Sequence, residues 1–140
     1  LNRGKLVLLN AALWSRHGKK TLKITKDADG YSLLSPHLAT VENFPDPSVN
    51  EVIEEIEVDL TPLDAIGLSL ESVDMIKLDV EGAELEILKG GSNTLSDGVI
   101  AVVIETHFLK LRENQALFPE VYEFLANLGF ELYDLDIRRW

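Results

Sequence analysis

Between Val73 and Gly90 the chain reads Val-Asp-Met-Ile-Lys-Leu-Asp-Val-Glu-Gly-Ala-Glu-Leu-Glu-Ile-Leu-Lys-Gly. The apolar positions Met75, Ile76, Leu78 and Val80, interrupted by Lys77 and Asp79, suit a central parallel strand whose last residues emerge toward a cleft. Gly82 permits a tight exit from that strand. Ala83 to Leu88 are good helix formers, and Gly90 suits the position just past a helix end. Strand, acidic turn and helix in this order point to the α/β class, in which ligands sit beyond the carboxyl ends of strands. Asp79 and Glu81 occupy such an end, so chemistry is expected there.

The rest of the chain supplies neighbours for this unit. Lys5 to Leu9 is a short apolar run, read as a buried strand that turns at Asn10, Ala11 and Ala12. Ser15 to Lys20 is turn-like, and Thr21 to Thr25 alternates as a half-exposed strand does. From Asp27 to Asn50 the chain is rich in Asp, Gly, Ser and Pro and has no period, which predicts a long loop. Val52 to Leu60 returns to strand alternation, with Ile56, Val58 and Leu60 on one face and a solvated acidic run from Glu51 to Glu57. Thr61 and Pro62 are placed to open a short helix as N-cap and first residue. Val99 to Glu105 is a β-branched, buried-type parallel strand ending in a carboxylate. Pro119 to Leu128 carries a helical apolar stripe closed by Gly129, and Phe130 to Leu135 alternates as a last strand. Strand, helix, strand, helix, strand argues an α/β fold with right-handed crossovers, in one domain over residues 1–140.

Size and charge narrow the function. A chain of 140 residues suffices for one core. Its formal charge of −11 repels phosphate backbones, so nucleic acid is not an expected partner. No apolar run reaches the roughly 18–20 residues of a membrane span, so no integral membrane segment is expected. The absence of cysteine excludes disulfides and thiolate metal sites and fits a reducing, cytoplasmic setting.

The run Asp74 to Glu84 resembles the signature of the FkbM family of S-adenosylmethionine-dependent methyltransferases. Asn10-Ala11-Ala12-Leu13 resembles that family's strand end before an antiparallel insert. Glu57 to Asp64 resembles its alternating strand leading to a Leu-Asp pair, Val102 to Glu105 the following strand, and Leu128-Gly129-Phe130 the late helix-to-strand turn. The resemblance covers nearly the whole chain and implies a Rossmann-like class I methyltransferase sheet. One element of the family is missing: no Gly-x-Gly pattern precedes a helix. By resemblance the sheet is therefore partial, its first two strands absent and the first strand here corresponding to the family's third. The family's strand order puts the missing pair between Leu6–Leu9 and Met75–Leu78, a gap of roughly 14 Å. A C-terminal piece of a longer protein, inactive alone, is the expectation.

The resemblance also implies roles for residues. S-adenosylmethionine would be the cofactor and a hydroxyl of a sugar, glycolipid or polyketide-like small molecule the acceptor. Asp79 would orient the acceptor or take its proton, with Lys77 on the same strand face and His107 as a further candidate base. Glu81 and Glu105 would face the acceptor, and Asn10, Ala11, Ala12 and Val80 the cofactor. On the residues alone, Asp79 or Glu81 could simply cap the next helix, and Asn10 to Ala12 could be a plain strand-to-turn junction. Asp79, Glu81 and Glu105 could also gather round Mg²⁺ or Ca²⁺, although no ligand spacing is diagnostic and no metal is assigned. His17 and His37 read as ordinary loop residues, and Trp14 and Trp140 as packing. Two rivals stand beside the enzyme: a non-catalytic binding or assembly module on the same framework, and a carboxylate-metal hydrolase.

Overall fold

The structure is a computed structural model that describes residues 6–66 and 73–137. Lys5 and Trp140, named above, lie outside them. The described strands form two sheets. In the first, β1 (Ala12–Leu13) runs parallel to β3 (Val52–Thr61), which pairs on its other side with antiparallel β2 (Gly18–Thr25). In the second, β4 (Met75–Leu78) runs parallel to β5 (Ala101–Ile104), with Lys77 opposite Val103 and Leu78 opposite Ile104. The expected antiparallel insert is therefore the β2–β3 pair. No ladder joins the two sheets among the described residues.

The core lies on the β4–β5 sheet. Leu78, Ile87, Leu88, Leu95, Val99 and Val121 bury together, with Ile76, Val80, Val102 and Ile104 packed around them. The covering helices are α2 (Glu84–Gly90), α3 (Ser92–Ser96) and α4 (Phe118–Asn127). The helix expected from Ala83 is α2, but Gly90 ends it from inside rather than beyond it. A Cβ at Gly90 would run into the backbone of Trp14 and Ser15, so glycine is needed there for close approach of the β1 segment. Helix α3 escapes sequence reading because Ser92 to Ser96 carries a single buried apolar residue, Leu95. It is capped from a distance: Asp64 accepts hydrogen bonds from the Asn93 and Thr94 amides and the Thr94 hydroxyl, at 3.1, 2.9 and 2.7 Å. Helix α4 stops as expected. Gly129 takes φ 91, and the amides of Gly129 and Phe130 return to the carbonyls of Ala126 and Leu125 in a Schellman turn.

Several expectations are corrected. Leu6 to Leu9 form no strand, and Leu8 is 85% exposed. Phe130 to Leu135 form none either, and Tyr133 is fully exposed. Both segments carry strand-like patterns, but a strand exists only where a neighbour takes up its N–H and C=O groups. Strands β4 and β5 are half-covered rather than fully buried, with Met75 61% and Val103 51% exposed. Thr61 closes β3 instead of capping a helix, and only a 3₁₀ turn follows at Leu63–Ala65. The 27–50 stretch is an ordered insert that holds two 3₁₀ turns and the short helix α1 (Leu38–Val41).

Candidate functional site

Parallel pairing of β4 with β5 sets Asp79 and Glu105 side by side just past the strand ends, where the Glu105 amide donates to the Leu78 carbonyl at 3.0 Å. The chain then turns sharply through Glu81, at φ 55, and Gly82, at φ 102. Glu84, the first residue of α2, makes that turn possible. Its buried carboxylate accepts from the amides of Val80 and Gly82, both at 3.1 Å. Neither Asp79 nor Glu81 supplies a cap to α2, which has no side-chain cap at its N-terminal residue Ala83. Both carboxylates are thus left to meet Glu105 beyond the strand ends.

Asp79, Glu81 and Glu105 converge, each offering a carboxylate oxygen within 4.8 Å of the other two. Lys77 reaches Asp79 at 3.0 Å, an exposed pair worth about 0–1 kcal/mol. Glu81 is raised above the ordinary carboxylate range by burial, against the pull of Arg112, whose Nη2 lies 3.0 Å from its carboxylate. Glu105 is pushed up to about 7 by burial and by its hydrogen bond and charge contact with Asp79. Two carboxylates this close hold one proton between them. Three such oxygens can in principle ligate a hard cation at about 2.0–2.6 Å.

His107 is buried beside this group. Burial lowers its pKa, with the Glu84 carboxylate pulling the other way. Its Nδ1 lies 3.0 Å from Nε2 of Gln115. Oε1 of Gln115 accepts from the Leu111 and Arg112 amides at 2.8 and 3.0 Å, so the amide presents its NH₂ to the ring. Neutral His107 therefore carries its proton on Nε2.

The remaining expected residues lie elsewhere. Asn10 and Ala11 are exposed ahead of β1, and Ala12 begins that strand opposite Leu60. Only Ala12 belongs to the other sheet, Asn10 and Ala11 lead into it, and no described hydrogen bond or ion pair brings the three to the carboxylates. The Val80 side chain packs against the core and its amide is bonded to Glu84, which leaves its carbonyl as the free part of its peptide. Sequence reading missed Glu84, Arg112 and Gln115. Glu84 lies inside the motif and its position was visible; Arg112 and Gln115 sit in an irregular loop with no spacing to mark them.

Carboxylates so placed can hold a hydroxyl group and favour a nearby cation.

No solved structure gives a significant match to the chain. Methyltransferase sdnD of Sordaria araneosa is 40% identical over 63 residues, which are 45% of this chain and 22% of that protein. The chain therefore spans about a fifth of the length of the curated relative it matches. The model of the methyltransferase FkbM domain matches residues 2–132, and the chain belongs to that family.

Proposed function

We propose that the chain is the acceptor-side part of an S-adenosylmethionine-dependent O-methyltransferase acting on a sugar, glycolipid or polyketide-like hydroxyl. The observation that carries this reading is the convergence of Asp79, Glu81 and Glu105 beyond two parallel strands in a chain of the FkbM family. The cofactor, when bound, supplies an electrophilic methyl group. Asp79 would orient the acceptor hydroxyl, and the Asp79–Glu105 pair in its fully ionised form, favoured as pH rises through about 7, would take the hydroxyl proton as the carbon–oxygen bond forms and the methyl–sulfur bond breaks. A carboxyl that titrates near neutrality suits that task. His107, protonated on Nε2, donates a hydrogen bond to an acceptor oxygen rather than acting as base. Lys77, 3.0 Å from Asp79, helps orient that carboxylate. Asn10, Ala11, Ala12 and the Val80 peptide wall the cofactor side.

In this reading the two sheets are parts of one Rossmann-like sheet, joined by two further strands between β1 and β4. The exposed apolar run Leu6–Leu9 and exposed Met75 support it, because each offers apolar surface where a neighbour would pack. The glycine-rich cofactor turn then belongs to a longer polypeptide, and this chain alone is inactive.

Calorimetric titration of S-adenosylhomocysteine into this chain and into an upstream-extended chain tests the proposal. Binding by the longer chain alone is expected. Binding by both would overturn the division of labour. Binding by neither would overturn the enzyme and leave a non-catalytic module on a methyltransferase framework.

A further inference from the structure

Arg112 is 2% exposed, and no role assigned above uses it. Its Nη1 donates to Asn50 Oδ1 at 2.8 Å. Its Nη2 donates to the Gly30 carbonyl and to the Glu81 carboxylate, both at 3.0 Å. The two ends of the 27–50 insert and the acidic turn thus meet on one planar cation. Its Nε is buried without a hydrogen-bond partner among the described residues, so the guanidinium is placed for its outer nitrogens.

The surroundings repeat the connection. The His37 amide donates to the Leu111 carbonyl at 2.9 Å and the Glu113 amide to the Ser35 carbonyl at 2.8 Å. Ser32 Oγ donates to the Glu81 carbonyl at 2.7 Å. Glu81 needs such support, because its left-handed backbone is uncommon for a residue with a side chain. A buried charge is also costly unless its partners are fixed. Arginine suits the place better than lysine, since one rigid fork can serve several acceptors in a plane.

We infer that Arg112 is a positioning residue that latches the 27–50 insert to the Glu81 turn and so holds Glu81 as a fixed wall of the acceptor side. The inference rests on the acceptor-side reading above. A plain alternative is that Arg112 only fills space beneath the loop, where its Cγ would lie 3.3 Å from a Cβ placed on Gly82.

Amide hydrogen exchange and amide resonances of the 140-residue chain separate the two, in Arg112→Met, Arg112→Lys and Glu81→Gln. Met keeps the length and apolar stem and loses the fork. The His37 and Glu113 amides are expected to exchange about tenfold faster or more in Arg112→Met. The Glu81 and Gly82 resonances should move, while the Glu105 amide, bonded within the β4–β5 region, keeps its protection. Arg112→Lys should restore only part of the protection. Glu81→Gln keeps an acceptor but removes its charge, and should give a smaller loss at the same amides; it decides the matter if Arg112→Met does not fold. Unchanged His37 and Glu113 exchange, or acceleration that includes Glu105 equally, would overturn the latch. Exchange needs neither cofactor nor acceptor. Failure of S-adenosylhomocysteine to bind either chain therefore sinks the methyltransferase reading without touching this result.

Discussion

The carboxyl groups of Asp79 and Glu105 lie within 4.8 Å of each other beyond the ends of two parallel strands, and burial together with Asp79 pushes Glu105 up to about 7, so that one proton would be shared between them. Parallel register places them there: Leu78 pairs with Ile104, so the next residues on each strand are neighbours. The pair links the fold to pH. A carboxyl raised in the folded state binds its proton more tightly there than in the unfolded chain. The stability it contributes is complete below the unfolded value and is lost as pH rises through about 7. Chemical denaturation of the native chain and of Glu105→Gln between pH 4.5 and 8 should show the native chain losing stability relative to the variant as pH rises. Parallel profiles would show that no proton is shared.

Asp79→Ala, made in an upstream-extended chain that binds S-adenosylhomocysteine, should lower turnover by about 10²–10⁴-fold. Cofactor affinity should change little if Asp79 has the proposed role of orienting the acceptor. Equal losses in both would make Asp79 a cofactor-holding or structural residue.

The elements legible in the sequence are those specified over a short span. Met75 to Gly90 announces strand, turn and helix because its apolar spacing and Gly82 act within a few residues. Helix α4 does so through its stripe and Gly129. Leu6–Leu9 and Phe130–Leu135 misled because a strand pattern does not reveal whether a partner edge exists. Of the site, Asp79, Glu81 and Glu105 were readable as strand-end carboxylates. Arg112 and Gln115 were not. They act through hydrogen bonds to residues such as Gly30, Asn50 and His107, which no periodicity connects.

Gly90→Ala should destabilise the chain by about 1–3 kcal/mol, the range for overpacking a tight contact. The added Cβ meets the Trp14 carbonyl and Ser15 Cα, and backbone atoms cannot rotate aside as a side chain would. Urea denaturation measures the loss. A variant as stable as the native chain would mean that the β1 segment does not lie against α2.

Gln115→Leu should release Nδ1 of His107 and let the proton distribute between both ring nitrogens, which ¹⁵N spectra of the imidazole report directly. In the native chain the Nε2–H form should dominate at pH 7, since burial holds the ring's pKa below its ordinary 6.5. That depression adds stability above the unfolded value, lost as pH falls through the folded one, and His107→Gln should remove this slope. An Nδ1–H ring in the native chain would restore Nε2 as a base.

The three converging carboxylates invite a divalent cation, and their charges argue against strong binding. Asp79 is paired with Lys77, Glu81 with Arg112, and Glu105 holds a proton that a cation must displace. Mg²⁺ also dehydrates reluctantly and Ca²⁺ takes about 6–8 oxygens, of which this cluster offers only part. A chelator should therefore leave both the melting temperature and any methyl transfer unchanged at pH 7. Added Ca²⁺ should stabilise the chain more at pH 8.5 than at pH 6, because the shared proton is gone at the higher pH. Collapse of stability or activity on chelation at pH 7 would reassign Asp79, Glu81 and Glu105 from holding an acceptor to holding a metal.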